Sequence, residues 1–224
     1  FYDEFQTVRP GDIRSLEFEK YNFQKYALIS QMRVKAGQDY IKYVRDVLNL
    51  EQKAPVHFNN YELKLFCNFG DMKSAIEKKD KNNGLSRLLA GYAWEWKTSR
   101  DEYIDYDIEI EGVKLRWNSV TEDWVNSPNA VNEVGCIHTI QGYDLNYAGV
   151  IIGPEISYDE SKREIVIDRD KYLDFNGRRA ISDPRELEIY IKNIYKTLLT
   201  RGIYGTYVYV VDENLRRYLK RFID

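Results

Sequence analysis

The side chains best suited to chemistry are concentrated in one short stretch of the chain, residues 135–145. A histidine, a threonine, a glutamine and an aspartate occur there close together: His138, Thr139, Gln141 and Asp144. The β-branched run Val150–Ile152 follows them, bounded by glycines, and predicts a strand covered on both faces, as in a parallel sheet. We therefore expect the polar segment at the end of a central strand, where open α/β folds bind their ligands.

Two arginines at the ends of predicted elements have the chemistry to bind a phosphoryl group. Arg33 ends a strand-like run just before a predicted helix, and Arg201 lies between a long predicted helix and a strand. A guanidinium offers planar, permanently charged donors to a phosphoryl group that gains charge in a transition state. The alternatives are a surface ion pair for Arg33 and a charge that complements the helix C-terminus for Arg201.

A cluster of aromatic and basic residues lies at the end of a predicted strand, 87–97. Trp94, Trp96 and Lys97 combine flat rings with a cation. Single-stranded nucleic acids are held by stacking of bases on aromatic rings and by cations on the phosphates. Trp94 and Lys97 are therefore candidate nucleic-acid contacts, although an aromatic pair that covers a sheet edge explains these residues equally well.

Composition limits the class of protein without selecting its function. The 224 residues are 43% hydrophobic and 31% charged, which is typical of a globular chain, and the net charge of -3 argues against a generally basic surface but not against a local basic groove. Cys67 and Cys136 both lie in apolar runs and are expected to be buried, reduced thiols. No apolar run approaches the roughly 18 residues that cross a membrane. The chain has no signal peptide and begins with Phe1, so we expect a fragment of a longer cytoplasmic protein.

The elements that must position these residues alternate between strands and helices. Helices are predicted near 36–50, 71–81, 182–199 and 212–223, the third capped by Ser182 or Asp183, and strands near 62–68, 87–97 and 205–211. Two hairpins are predicted at 107–117 and within 156–172. The predicted fold class is α/β, a parallel sheet flanked by helices with β-hairpin insertions.

Four segments resemble, in order, the conserved motifs of superfamily 1 helicases. His138–Asp144 is similar to motif V, H-x-x-[KQ]-G-[LY]-[ED]. Gln6, with its neighbours Asp3, Thr7 and Val8, is similar to motif III; Arg33 after a strand to motif IV; and Thr200-Arg201 between helix and strand to motif VI. The run R-L-L-A-G-Y-A-W-E-W also resembles a bacterial group of helicase-related ATP-binding proteins, some of them linked with Schlafen-type proteins.

The resemblance implies a RecA-like fold and assigns roles to these residues. Residues 1–20 would be the tail of a first RecA-like domain and a linker, and residues 21–224 the second such domain, with hairpin insertions near 103–124 and 156–172. The implied roles fall into three groups: Gln6, Arg33 and Arg201 at the γ-phosphate of ATP; Gln141, Gly142 and Asp144 on the nucleotide; and His138 and Thr139 on the nucleic-acid backbone.

Two signatures of a complete ATP site do not occur in the sequence. Neither a G-x-x-x-x-G-K-[ST] phosphate loop nor a D-E-x-Q metal motif is found in the 224 residues. We therefore expect ATP and Mg²⁺ to bind mainly to an upstream RecA-like domain, and the isolated chain not to hydrolyse ATP. The expected partners are that domain and a single strand of nucleic acid, with no membrane.

Two other classes of function compete with a helicase-like ATPase. A non-catalytic RecA-like module that binds nucleic acid or a protein explains the tryptophan cluster and the missing phosphate loop equally well. A nuclease has little support, because Asp105, Asp107 and Glu109 alternate along a predicted strand without a partner lysine or histidine, which is more typical of a solvated sheet face.

Overall fold

The computed structural model describes residues 8, 19–21, 24, 26, 33–100 and 103–223. Gln6, the proposed motif III residue, and the strand predicted just before Arg33 lie outside the described residues. Val8 is buried, and its carbonyl accepts a hydrogen bond from the Tyr190 hydroxyl.

Seven strands form the main sheet, and two more form a separate hairpin. The sheet order is β1-β9-β6-β2-β5-β4-β3, and every neighbouring pair is parallel except β4 with β3. The strands are β1 Glu62–Phe66, β2 Ser86–Ala90, β3 Ile108–Ile110, β4 Val113–Trp117, β5 Glu133–Cys136, β6 Leu145–Ile152, β7 Ile156–Asp159, β8 Glu164–Ile167 and β9 Gly202–Val210. This mostly parallel sheet flanked by helices confirms the predicted α/β class and is consistent with a RecA-like domain.

Helices cover both faces of the sheet. The helices are α1 Gly37–Leu48, α2 Phe69–Asn83, α3 Ile137–Ile140, α4 Phe175–Ala180, α5 Pro184–Leu199 and α6 Glu213–Leu219. Residues of α2 pack on one face, and residues of α1, α5 and α6 pack on the other, so each face has its own hydrophobic core. The α5 N-cap is Asp183, whose side chain accepts a hydrogen bond from the Arg185 amide, as the sequence predicts.

Strand β6 lies at the centre of the sheet and contributes to both cores. Val150 and Ile152 belong to the core on the α5 side, and Ile151 to the core under α2. A Cβ atom on Gly149 would lie 2.7 Å from a side-chain carbon of Ile76 in α2, so this glycine allows the helix to approach the sheet closely. The apolar run predicted as a doubly covered strand is confirmed.

The structure has an antiparallel hairpin at each of the two predicted places. In the first, Glu111 and Gly112 both have positive φ, as a type I′ turn requires, and β4 pairs in parallel with β5, so this hairpin extends the main sheet. The second, β7 with β8, packs on α6, where the Tyr158 and Tyr218 rings stack 4.7 Å apart.

Two expectations about the ends of strands were wrong. β2 ends at Ala90 and not near Lys97, because the chain turns there and the Ala93 amide donates to the Gly91 carbonyl at 2.9 Å. Gly91 also lies close to buried side chains, since a Cβ atom on it would be 2.6 Å from the Tyr195 hydroxyl. Cys67 is exposed, since it follows the end of β1, whereas Cys136 is buried as predicted. Within the described part of the chain, no helix has the length and apolar composition needed to cross a membrane.

Candidate functional site

Three residues predicted from separate motifs meet at the amino ends of β6 and β9. We call Arg33, Asp144 and Arg201, with the backbone of Tyr143, the arginine cluster. Asp144 directly precedes β6 and Arg201 directly precedes β9, and the Leu145 amide donates to the Arg201 carbonyl at 3.0 Å. Because adjacent parallel strands begin at the same edge of a sheet, the fold brings these side chains together over long sequence distances.

Arg201 is a buried cation with few hydrogen bonds. Its exposed fraction is 1%; Nη1 donates to the Tyr143 carbonyl at 3.3 Å, and Nε has no partner among the described residues. Burial and repulsion from Arg33 lower the pKa of Arg201 to about 10, while Asp144 acts in the opposite direction, so the guanidinium stays charged at neutral pH. Among the described residues, the guanidinium donates to the Tyr143 carbonyl and makes no hydrogen bond to the carbonyl groups that end α5.

Arg33 and Asp144 form an ion pair with each other. The contact joins Arg33 Nε to an Asp144 carboxylate oxygen, and both side chains are partly exposed. One carboxylate therefore lies among two arginines. For Arg33 this is the surface ion pair that the sequence left open as an alternative, with a partner in the same cluster.

Gln141 and Gly142 form the turn that leads into the arginine cluster. Gly142 is exposed and has φ of +96°, a conformation that favours glycine, and the Tyr143 amide donates to the Ile140 carbonyl at 3.1 Å. Gln141 is half-buried at the end of α3. Where a loop was predicted, the chain forms the single helical turn α3 followed by this glycine turn.

A second group of residues lies at the carboxyl ends of β2, β4 and β5. We call it the aromatic–histidine cluster; its members are Tyr92, Trp94, Trp96, Trp117, His138 and Asp174. Trp117 is buried at its centre, with the Tyr92 ring stacked 5.6 Å away and the Trp96 and Trp94 rings at 6.2 and 6.5 Å. Trp94 is therefore half-buried against Trp117 and presents only part of its ring.

His138 and Asp174 form a polar pair on the edge of this cluster. His138 Nε2 lies 3.3 Å from Asp174 Oδ2, and its ring is 5.7 Å from that of Tyr92. Burial opposes ionisation of Asp174, but hydrogen bonds from His138, the Gly177 amide and Tyr172 lower its pKa below the usual value. With Asp174 ionised, the hydrogen bond requires the proton on Nε2.

Thr139 is directed into the protein in this structure. Its hydroxyl lies 3.1 Å from the Cys136 sulfur, and the residue is buried. His138 and Thr139 therefore both have partners within the chain, and their roles on a nucleic-acid backbone stay predictions.

A buried carboxylate fixes the loop that carries Trp94 and Lys97. Asp107 accepts hydrogen bonds from the Thr98 amide and hydroxyl, each at 2.8 Å, and from the Trp117 amide at 2.9 Å. Asp107 is therefore a structural acceptor that ties loop 94–100 to the β3–β4 hairpin. Lys97 on that loop is exposed.

The two clusters lie at opposite ends of the sheet. Ala90 at the end of β2 pairs with both Cys136 and Ile151, whereas Leu145 pairs with Gly202 at the other end of β6. Six residues of strand separate these levels, about 20 Å at ~3.3 Å per residue. Residues 137–144 cross this distance, from His138 at one cluster to Asp144 at the other.

Tyr92, Trp117 and Asp174 belong to the aromatic–histidine cluster but were not predicted from the sequence. Asp174 contacts His138 from 36 positions away in the chain, so no local pattern joins them. The available signal was an aspartate directly before a short helix, a capping position that usually has a local role. Among the described residues, no group of three or more His, Cys, Asp or Glu side chains is arranged to hold a metal ion.

The mostly parallel seven-stranded sheet flanked by helices is an α/β fold consistent with a RecA-like domain. Residues 1–212 match the family described as "Schlafen group 3, DNA/RNA helicase domain", and the chain belongs to this family. It is also similar to the uncharacterized protein YPL245W of Saccharomyces cerevisiae, with 31% identity over 219 residues; the match covers 88% of this chain and 48% of the yeast protein. The chain thus spans about half the length of this relative. No solved structure matches the chain.

Membership of this family supports a helicase-like function related to nucleic acid.

Proposed function

We propose that the chain is the second RecA-like domain of a superfamily 1 helicase-like ATPase that acts on single-stranded nucleic acid. The arginine cluster would bind the phosphates of ATP, and the aromatic–histidine cluster would bind the strand. The observation that carries the proposal is Arg201, a buried guanidinium with one hydrogen bond at 3.3 Å and an Nε without a described partner.

A bound anion would supply the opposite charge and the hydrogen-bond acceptor that Arg201 lacks among the described residues. Burying a charged group is costly unless it is paired and hydrogen-bonded, and a phosphate oxygen provides both the charge and the acceptor. The donor set therefore fits a phosphoryl group. Arg33 can join it by exchanging Asp144 for a phosphate oxygen, which frees the Asp144 carboxylate for a hydroxyl group of the ribose.

The residues of this chain would act on charge and position. Bound ATP would supply the phosphoanhydride bond that is cleaved. Arg201 and Arg33 would donate to the γ-phosphate oxygens and stabilise their charge, an effect worth ~10³–10⁵ in rate in other nucleotidases. Gln6 would act beside them. The phosphate loop and the Mg²⁺ ligands would belong to an upstream RecA-like domain, so the isolated chain is not expected to hydrolyse ATP.

ATP hydrolysis by the full-length protein, with and without single-stranded DNA, tests the proposal. Arg201→Ala should lower stimulated turnover roughly 10³-fold while nucleotide binding remains measurable. Arg185→Ala, which removes an exposed arginine at the start of α5, is the matched control and should leave turnover unchanged. Equal turnover in wild type and Arg201→Ala would show that Arg201 has a structural role and does not act in hydrolysis.

One observation favours the alternative, a RecA-like module that binds nucleic acid or a protein without turnover. Arg33 is already neutralised by Asp144, so the cluster holds one of its two cations in an internal ion pair. A full-length protein with no phosphate loop and no detectable ATP binding, but with affinity for a single strand, would establish this alternative.

A further inference from the structure

An exposed aromatic ring with a guanidinium over it lies directly beside the aromatic–histidine cluster. Phe175, the first residue of α4, is 66% exposed. The guanidinium carbon of Arg179, one helical turn later, lies 5.1 Å from the centre of the Phe175 ring. A flat exposed ring beside a permanent cation has the two features that hold a base and its attached phosphate.

Asp174 fixes the position of this ring relative to His138. Its Oδ1 accepts a hydrogen bond from the Gly177 amide at 3.1 Å, which caps α4, and its Oδ2 lies 3.2 Å from the Tyr172 hydroxyl and 3.3 Å from His138 Nε2. One carboxylate thus joins α4 to the segment 137–144. The preceding residue, Leu173, donates its amide to the Tyr92 carbonyl at 2.7 Å, a second attachment to the same cluster.

Two unpaired positive charges lie close in the chain to members of the aromatic–histidine cluster. Arg179 follows Asp174 by five residues and Lys97 directly follows Trp96; both are exposed, and within the described ranges no carboxylate lies within 4 Å of either. The neighbouring Arg178 is different, because it pairs with Asp170 at 2.5 Å. The two free cations suit a polyanion that passes over the cluster.

We infer that Phe175 and Arg179 form a binding site for one nucleotide of a single strand of nucleic acid, which presupposes the nucleic-acid role proposed above. The base stacks on the face of Phe175 that the Arg179 guanidinium leaves open, and its phosphate binds Arg179. The strand continues over the His138–Asp174 pair toward Trp96 and Lys97. Phe175 therefore provides the exposed stacking surface, whereas the Trp94 ring is partly covered by Trp117.

Binding of labelled single-stranded oligonucleotides, one of DNA and one of RNA, to the full-length protein tests this site by fluorescence anisotropy. Phe175→Leu keeps apolar bulk but removes the aromatic face, and should weaken binding roughly tenfold, while Phe175→Tyr should stay within about twofold of wild type. Arg179→Gln should reduce the slope of log affinity against log salt by about 0.7, the value for one phosphate contact on a single strand. Phe175→Leu should leave that slope unchanged, because it removes no charge.

Two variants, one at the other end of the sheet and one directly after α6, serve as matched controls. Tyr204 is 38% exposed with the Lys35 ammonium 5.2 Å from its ring centre, so Tyr204→Leu removes a similar aromatic–cation pair. Lys220→Gln removes one exposed charge after α6. Neither should match the loss caused by the corresponding α4 variant.

The outcomes separate this site from the proposed function. If the wild type binds a strand and Phe175→Leu is no weaker than Tyr204→Leu, the site is wrong and the nucleic-acid role stands. If the salt slope of Arg179→Gln equals that of Lys220→Gln, the phosphate contact is wrong. If the wild type binds neither oligonucleotide, the nucleic-acid role and the site both fail.

Discussion

We expect the stability of this domain to depend on pH near neutrality because of Glu155. It follows β6 and is 1% exposed, with its carboxylate oxygens close to the backbone of Gly91 and Gly153. One oxygen accepts a hydrogen bond from the Tyr195 hydroxyl, and the other, Oε2, has no partner among the described residues. Burial raises the pKa of Glu155 from 4.5 to about 7, against the opposing effect of the Tyr195 hydrogen bond.

The sign of the effect follows from which state holds the proton. Below about pH 4.5 the carboxyl group is protonated in both the folded and the unfolded chain. As pH rises toward 7 the unfolded chain loses this proton and the folded chain keeps it, so the free energy of unfolding falls until the folded group ionises too. A shift from 4.5 to about 7, at ~1.4 kcal/mol per unit, corresponds to roughly 3 kcal/mol lost across this range.

Glu155→Gln measures this contribution, because the amide keeps the shape of the side chain and an acceptor for Tyr195 but cannot ionise. Urea unfolding followed by tryptophan fluorescence should give similar stabilities for variant and wild type near pH 5. Between about pH 5 and about pH 8, the free energy of unfolding of the variant should rise by about 2–3 kcal/mol relative to that of the wild type. Glu160→Gln is the control: Glu160 is exposed and lies 3.8 Å from Arg217 in a surface ion pair, which should contribute little at any pH.

A difference between Glu155→Gln and wild type that stays constant from about pH 5 to about pH 8 would refute this account. It would mean that Glu155 has the same pKa in the folded and unfolded chains. Some further contact would then offset the effect of burial on its ionisation.

Three further predictions concern the arginine cluster, the turn that leads into it and the packing of β6. Without nucleotide, Arg201→Met should have a melting temperature equal to or above that of the wild type. The buried guanidinium makes one long hydrogen bond, and the thioether chain of methionine fills a similar volume. A melting temperature several degrees lower would contradict this prediction. Gly142→Ala should cost about 1 kcal/mol in urea unfolding, because its φ is +96° and a Cβ atom meets nothing. Gly149→Ala should cost more, about 2–3 kcal/mol, because its Cβ atom would lie 2.7–2.8 Å from Ile76 and Leu88. A smaller loss of stability for Gly149→Ala than for Gly142→Ala would show that α2 shifts easily.

Local patterns were sufficient to predict most elements of the fold. The apolar run at 150–152 and the aspartate before Pro184 report on burial and capping within a few residues, and both are confirmed. The end of β2 could not be predicted in this way, since Gly91 ends the strand next to Tyr195 and Glu155, which are distant in the sequence.

The candidate site required the sheet topology as well as the residues. Arg33, Asp144 and Arg201 were chosen from separate motifs, and only the parallel pairing of β6 with β9 brings the last two to one edge. The contact of His138 with Asp174 had no local signal at all. Residue types thus indicated the chemistry, but which side chains share a site depended on long-range pairing.

Residues 137–144 join the two clusters, so a change at one cluster can act on the other through this segment. His138 contacts Asp174 at one end of residues 137–144, and Asp144 contacts Arg33 at the other, with Gly142, at a φ of +96°, between them. Under the proposed function, Arg33 reaches a phosphate only when it leaves Asp144, so nucleotide binding releases one of the two attachments. A strand that moves His138 acts on the other attachment of the same eight residues. By thermodynamic reciprocity, a strand that changes nucleotide affinity through this segment must have its own affinity changed by the nucleotide by the same factor.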